Sequence, residues 1–199
     1  MFNILSFIKK DPDKSLREAT AKKKAGDMEG ATDSLRVAYN LISKTSINYT
    51  VDPFLRLPMY LQQAGKNDEA WSEFNKLLVE GYPNQMKILE LIPMDHSAIY
   101  VKMRLFLQRE NKHKESVKFG VFSYLSWGLG LYYQERKKEL RSHISKTSIE
   151  LMLEKLLKKA KKPEDKNQMV KLVMSEINDF PNINLTNLGK QIDREILGS

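Results

Sequence analysis

Apolar residues recur along this chain at intervals of three and four. Nowhere do they alternate over a run bounded by turn residues, so helices are expected and strands are not. Asp11-Pro12 supplies a capping side chain and then a Pro whose missing N–H is tolerated in a first turn, starting a helix from Asp13 to Ala25. Gly26 breaks it, and Asp27 opens a second helix with Ala31, Leu35, Ala38 and Ile42 on one face. Residues 45–50 are polar and turn-like. Asp52-Pro53 opens a third helix, with Leu57, Leu61 and Ala64 inward. Pro58 lies inside that stretch and moves its expected start towards Leu57. The fourth helix spans Asn67 to Glu80, with Ala70, Phe74, Leu77 and Leu78 inward, and Gly81-Tyr82-Pro83 stops it.

Residues 85–92 are expected to form a short helix or turn that Pro93 terminates. Ser97 then caps a helix to Glu110, with Tyr100, Met103 and Leu107 on one side. The next helix runs from Glu115 to about Tyr133. Its segment from Phe119 to Tyr133 carries no charge, which predicts a central buried helix; at about 15 residues it is short of the roughly 20 needed to cross a bilayer. Further on, Ile149, Leu153, Leu156 and Leu157 line a Lys-rich helix. Met169, Leu172, Val173 and Ile177 line another, with Glu176 the exception on its face. Leu185, Leu188, Ile192 and Ile196 line a last one, capped by Asn184 or Thr186.

Two stretches echo each other. Ala25-Gly26-Asp27-Met28-Glu29-Gly30-Ala31 recurs as Ala64-Gly65-Lys66-Asn67-Asp68-Glu69-Ala70, with a large apolar residue four places later, Leu35 or Phe74. Asn111-Lys112-His113-Lys114-Glu115-Ser116 is a weaker third copy. Such self-similarity marks stacked helical hairpins, each unable to bury its apolar face alone.

On these residues the stretch from Asp13 to Tyr133 resembles a tetratricopeptide repeat protein. That family's Gly-x-x-x-x-Ala step matches Gly26 with Ala31 and Gly65 with Ala70; its second small position matches Ala38 but is Leu77 in the next copy. The family repeats at about 34 residues, whereas the steps here are 65 − 26 = 39 and 111 − 65 = 46. Small residues expected early in each first helix are met by Ala19, but Pro58 and Arg104 stand at the equivalent places. The resemblance implies an all-α, right-handed superhelix of hairpins, extended here by a C-terminal helical segment. It also implies a concave partner-binding face built from Thr20, Lys23, Lys24, Met59, Gln62, Gln63, Leu105, Gln108 and Arg109. Leu16 and Thr20 depart from the subclass that clamps a peptide carboxylate. The expected organisation is an apolar leader (1–11), helical repeats (12–133) and a basic helical segment (134–199).

Charge adds a second theme. The net charge is +8, and the excess gathers between Gln134 and Lys162, where ten Lys and Arg face four Glu. A solvated helix face accounts for such a run, as does attraction to nucleic acid, an acidic partner or anionic lipid. In the leader, Phe2, Leu5 and Ile8 share a helical spacing that suits docking onto the first hairpin, a membrane surface or a partner. The leader lacks the basic start and cleavage site of a secretory signal. There is no Cys, which fits a reducing compartment, and a cytoplasmic location is expected.

No constellation calls for catalysis, a metal or a cofactor. His96, His113 and His143 are widely spaced and match no ligand pattern. Asp95-His96-Ser97 holds the residue types of a hydrolase triad, but adjacent residues point apart. Gly128-Leu129-Gly130 follows no strand and lacks a phosphate-binding Lys. The expected role is therefore a non-catalytic adaptor that binds a protein or peptide. The alternatives are a nucleic-acid-associated protein acting through the basic C-terminal half, and a structural homo-oligomer. Ser126 and Gly130, four apart, would let helices from two copies meet closely through residues 119–133.

Overall fold

The computed structural model describes residues 11–198, so the leader's apolar residues lie outside the described residues. Among these the chain is all-helical, and it divides into two compact units, one ending at Gln85 and the other beginning at Met86.

The first unit holds α1 (Pro12–Lys24), α2 (Met28–Ile42), α3 (Arg56–Gln63) and α4 (Asn67–Val79). Asp11 caps α1, its carboxylate accepting from the Asp13 N–H at 2.9 Å, and Asp27 caps α2 through the Gly30 N–H at 2.8 Å. The echoed motif is a turn of one geometry. Gly26 (φ 85°) and Gly65 (φ 76°) are left-handed, a conformation that glycine adopts without steric cost. Just after each, an N–H reaches back five residues to close the turn, Asp27 to the Lys22 carbonyl (3.0 Å) and Lys66 to that of Leu61 (2.9 Å). The weak third copy keeps this geometry. Asn111 has φ 59°, and the Lys112 N–H reaches the Leu107 carbonyl at 2.8 Å. Asn tolerates the left-handed region better than most residues because its short polar side chain bonds locally.

Ala31, Leu35, Ala38, Ile42, Ala70 and Phe74 are fully buried, as their spacing predicts. Leu78 is only half-buried. Pro58 is accommodated because α3 starts at Arg56, which leaves Pro58 in the first turn, where no intrahelical donor is needed. An aromatic run from Tyr39 through Phe54 to Tyr82, with centroids 4.8 and 4.7 Å apart, packs beside these helices. The Tyr39 hydroxyl donates to the Pro53 carbonyl at 2.8 Å, and burial raises its pKa. Asn84 closes the unit: its amide donates to the carbonyls of Ile42, Thr45 and Ile47 at 2.8, 2.8 and 3.1 Å and holds the turn after α2.

The second unit holds α5 (Ile92–Arg109), α6 (Ser116–Tyr133), α7 (Lys137–His143), α8 (Lys146–Ala160), α9 (Lys166–Ile177) and α10 (Leu185–Leu197). Two expectations are corrected here. Pro93 does not end a helix: it occupies the first turn of α5, where its fixed φ suits initiation; residues 85–88 are irregular and 89–91 form a turn. Ser97 is not a cap. It is buried within α5, and its hydroxyl donates to the Ser123 carbonyl of α6 at 2.8 Å. The sequence pattern also left α7 unseen, since its seven residues include one large aliphatic, Leu140.

Three faces of α6 have three fates. Ser97 and Met94 of α5 cover one; a Cβ at Gly130 would lie 2.7 Å from Met94 Cε. The face suited to pairing between copies, Ser126 and Gly130, is thus buried within this chain. Val117, Val121 and Leu125 form a core with Ile149, Leu153 and Leu157 of α8, Met169 and Val173 of α9, and Leu188, Ile192 and Ile196 of α10. Phe122 packs on Gly189, and Lys118 pairs with Asp193 at 2.5 Å. The third face stays partly open. Asn184, not Thr186, caps α10 through the Asn187 N–H at 2.9 Å. Among the described residues no helix is long and apolar enough to cross a membrane.

Replacing Ala31 or Ala70 with Phe should lower stability by about 1–3 kcal/mol, because neither site has room for a ring. Circular dichroism melting checks this; variants that melt like the parent would show that these alanines do not set the crossings.

Candidate binding cleft of the second unit

A further stripe of α6 repeats every three or four residues: buried Gly120 and Leu131 at its ends, with half-buried Ser123 and Tyr124 and exposed Trp127 between them. They floor a cleft of about 980 Å³. One wall is α5, with Val101 and Arg104 one turn apart. The other is α8, with Ser148, Leu151, Met152, Lys155 and Leu156 on one stripe. Arg136, Lys138, Glu139, Ser142 and His143, in and before α7, border the remainder. Gly120 lets Leu156 of α8 pack directly on the α6 backbone at the floor, since a Cβ there would lie 2.6 Å from Leu156 Cδ1. One turn beyond Arg104 and one turn beyond Lys155, the Lys159 ammonium donates to the Gln108 side chain at 2.7 Å and draws the two walls together.

The cleft has an apolar stretch and a cationic stretch. Trp127 and Leu151 are 44% and 54% exposed, large apolar side chains left unburied in a unit that buries most others. The cations are Arg104, Arg136, Lys138 and Lys155, against one carboxylate, Glu139, which pairs with Arg136 at 3.4 Å. The Arg104 Nε is buried with no hydrogen-bond partner, and desolvation lowers the pKa of this guanidinium.

A clasp fixes α7 to α6. The rings of Tyr124 and His143 stack at 3.9 Å, the Tyr124 hydroxyl donates to the His143 carbonyl, and His143 Nε2 meets the Tyr124 carbonyl at 2.8 Å. Because a carbonyl only accepts, Nε2 carries the proton there. Burial pulls the His143 pKa below its ordinary value, and the bond to the Tyr124 carbonyl partly offsets that.

The projected concave-face residues lie elsewhere. In the first unit, Thr20 and Lys24 border a shallow cleft of about 460 Å³ with Leu16, Arg17 and Arg56. Thr20 donates to the Leu16 carbonyl at 3.1 Å, and Lys23 lies over the Tyr60 ring at 4.9 Å. Met59 and Gln62 are only 7% and 8% exposed, so they offer a partner little surface. Gln63 is exposed and donates to the Met59 carbonyl at 3.0 Å. In the second unit Leu105 is half-buried, Gln108 is engaged by Lys159, and Arg109 is exposed. Part of the basic stretch is paired: Arg136 with Glu139 (3.4 Å), Lys146 with Glu150 (3.8 Å), and Lys162 with Glu164 (3.8 Å) and Asp165 (3.9 Å); just beyond it Lys166 pairs with Glu154 (2.7 Å). Among the described residues no group of three or more His, Asp or Glu side chains could hold a metal ion.

Sequence reasoning did not place Arg104, Trp127, Leu151 or His143 in one site. One signal pointed there: Arg104 stands where the repeat resemblance implies a small residue. A long cation at such a position needs a space to enter, and that space is the cleft.

The His143 clasp predicts a pH effect. The unfolded chain takes up a proton on His143 near pH 6.5, while the folded chain does so only at lower pH, so stability should fall as pH drops below about 6.5. Melting temperatures across this window are the measurement, and His143→Gln should flatten the slope. An unchanged slope in the variant would remove His143 as the cause.

No protein-family model, curated protein or solved structure matches this chain.

Proposed function

We propose that this protein is a non-catalytic adaptor, its tetratricopeptide-like helix pairs serving as scaffold for binding a segment of another protein. The carrying observation is the second-unit cleft, where Trp127 is 44% exposed on the floor between walls that bear Arg104 and Lys155. Trp and Arg in a partly preformed groove are the residue types that dominate binding energy at protein interfaces. Trp127 and Leu151 of the cleft are exposed, whereas Met59 and Gln62 on the concave face that the repeat resemblance projects are buried.

A photo-crosslinking residue in place of Trp127 tests the reading in native extract with and without nuclease. The expected result is a discrete protein adduct that the same residue in place of exposed Val37 does not give. Adducts that vanish with nuclease would favour the nucleic-acid alternative, and identical adducts from both positions would remove the cleft as the site.

The nucleic-acid alternative has its own measurement. Contacts to phosphate release counterions, so the log–log salt slope is roughly −0.9 per contact on duplex DNA. The basic stretch carries interspersed Glu residues and no Phe, Tyr or Trp between its lysines to stack on bases, so binding of duplex DNA should be weaker than micromolar at about 0.15 M salt. Sub-micromolar binding there, lost when Lys158, Lys159, Lys161 and Lys162 become Gln, would reverse the ranking.

A further inference from the structure

Arg104 is the least explained side chain of the cleft. Its guanidinium is planar with fixed donors, and leaving a buried N–H without an acceptor destabilises the fold. Its Nε is nonetheless buried without a partner, beside Val101 on its own helix and in a cleft floored by Gly120 and walled by Leu156. The one carboxylate bordering the cleft, Glu139, is paired with Arg136. Arg104, Lys138 and Lys155 therefore form an excess of positive charge for which this cleft supplies no acid. Next to this excess lie Trp127 and Leu151, large, apolar and exposed.

This pairing of features selects among anionic ligands. Nucleic acid gains from a series of aromatic platforms along a basic track; of the described rings bordering the cleft, Tyr124 and His143 are stacked on each other and Trp127 is exposed. A lipid surface is met by protruding apolar groups with cations beside them, whereas the Arg104 Nε is buried. A carboxylate matches a guanidinium in plane and in spacing and can enter a groove on a side chain.

Resting on the protein-binding reading above, we propose that the cleft receives an acidic amphipathic segment of a partner protein. A side-chain carboxylate of that segment meets Arg104, Lys155 supplies the second charge, and apolar side chains of the segment cover Trp127 and Leu151. In the free protein Arg104 costs stability, and in the complex it confers specificity for acid.

The experiment selects binders to the full chain from a random-peptide display library, then measures the selected, fluorescein-labelled peptides by anisotropy. The selected peptides should combine Asp or Glu with aromatic or aliphatic residues. Arg104→Met should weaken them about tenfold or more, as expected for loss of a charge-assisted hydrogen bond. Arg104→Lys should retain part of the affinity, and Trp127→Ala should weaken the same peptides. Arg104→Met should also melt at the parent temperature or above it, because it removes a desolvated, unpartnered donor.

Peptides without acidic residues that need Trp127 and ignore Arg104→Met would overturn the carboxylate inference and leave the cleft as a protein site. Peptides indifferent to both variants would overturn the cleft reading as well. A lower melting temperature for Arg104→Met would show that Arg104 is a structural residue and sink the proposal. So would tighter, Arg104-dependent binding of duplex DNA or of phosphatidylserine vesicles than of any selected peptide.

Discussion

The helix α6 carries no charge from Phe119 to Tyr133, and a helix apolar all round must be covered on nearly every side. Much of the second unit follows from that constraint. The helix α5 approaches closely because Gly130 leaves space for Met94 and because Ser97 supplies a hydrogen bond to the α6 backbone. Three further helices close the opposite face through Val117, Val121 and Leu125. What coverage leaves exposed includes Trp127 and Tyr132, and Trp127 stands on the floor of the cleft. The candidate site thus includes Trp127, a large apolar side chain that its own chain leaves exposed.

The two compact units use one device to reverse the chain between helices. A residue in the left-handed region follows the helix end, and an N–H just beyond it reaches back five residues. Glycine meets this need at positions 26 and 65, and Asn111 meets it where glycine is replaced, with the same hydrogen-bond pattern. Ser116, in place of the recurring Ala, is also buried, its hydroxyl bonded to the His113 carbonyl at 2.7 Å. Backbone geometry thus persists in the copy where residue identity has drifted, because the turn demands a conformation and not a particular side chain.

The charge of +8 has a structure that its total conceals. Several lysines of the C-terminal half hold neighbouring helices together, as Lys166 does with Glu154 and Lys118 with Asp193. Pairs at exposed sites contribute little each, and within the basic stretch they engage Arg136, Lys146 and Lys162. Arg104 lies outside this pairing, and its desolvated Nε stands beside exposed apolar surface.

Much of the helical layout was legible in the sequence. Asp11 and Asp27 as caps, Gly26 and Gly65 as breaks, and the inward faces from Ala31 to Phe74 all follow from local rules, since a helix's period and its ends depend on residues within a few positions. Local rules failed where a residue's role depends on what is packed against it. Pro93 reads equally well as a stop or a start, and the choice falls to the residues around it in the folded unit. Ser97 looks like a cap until α6 places a carbonyl beside it. The uncharged run of α6 signalled burial, but not which stripe would stay open. That was decided by where α5 and α8 stop covering α6, through contacts between residues far apart in the chain that no local periodicity encodes. Arg104, Trp127, Leu151 and Lys155 come from three separate helices, so only the tertiary structure could bring them to one cleft.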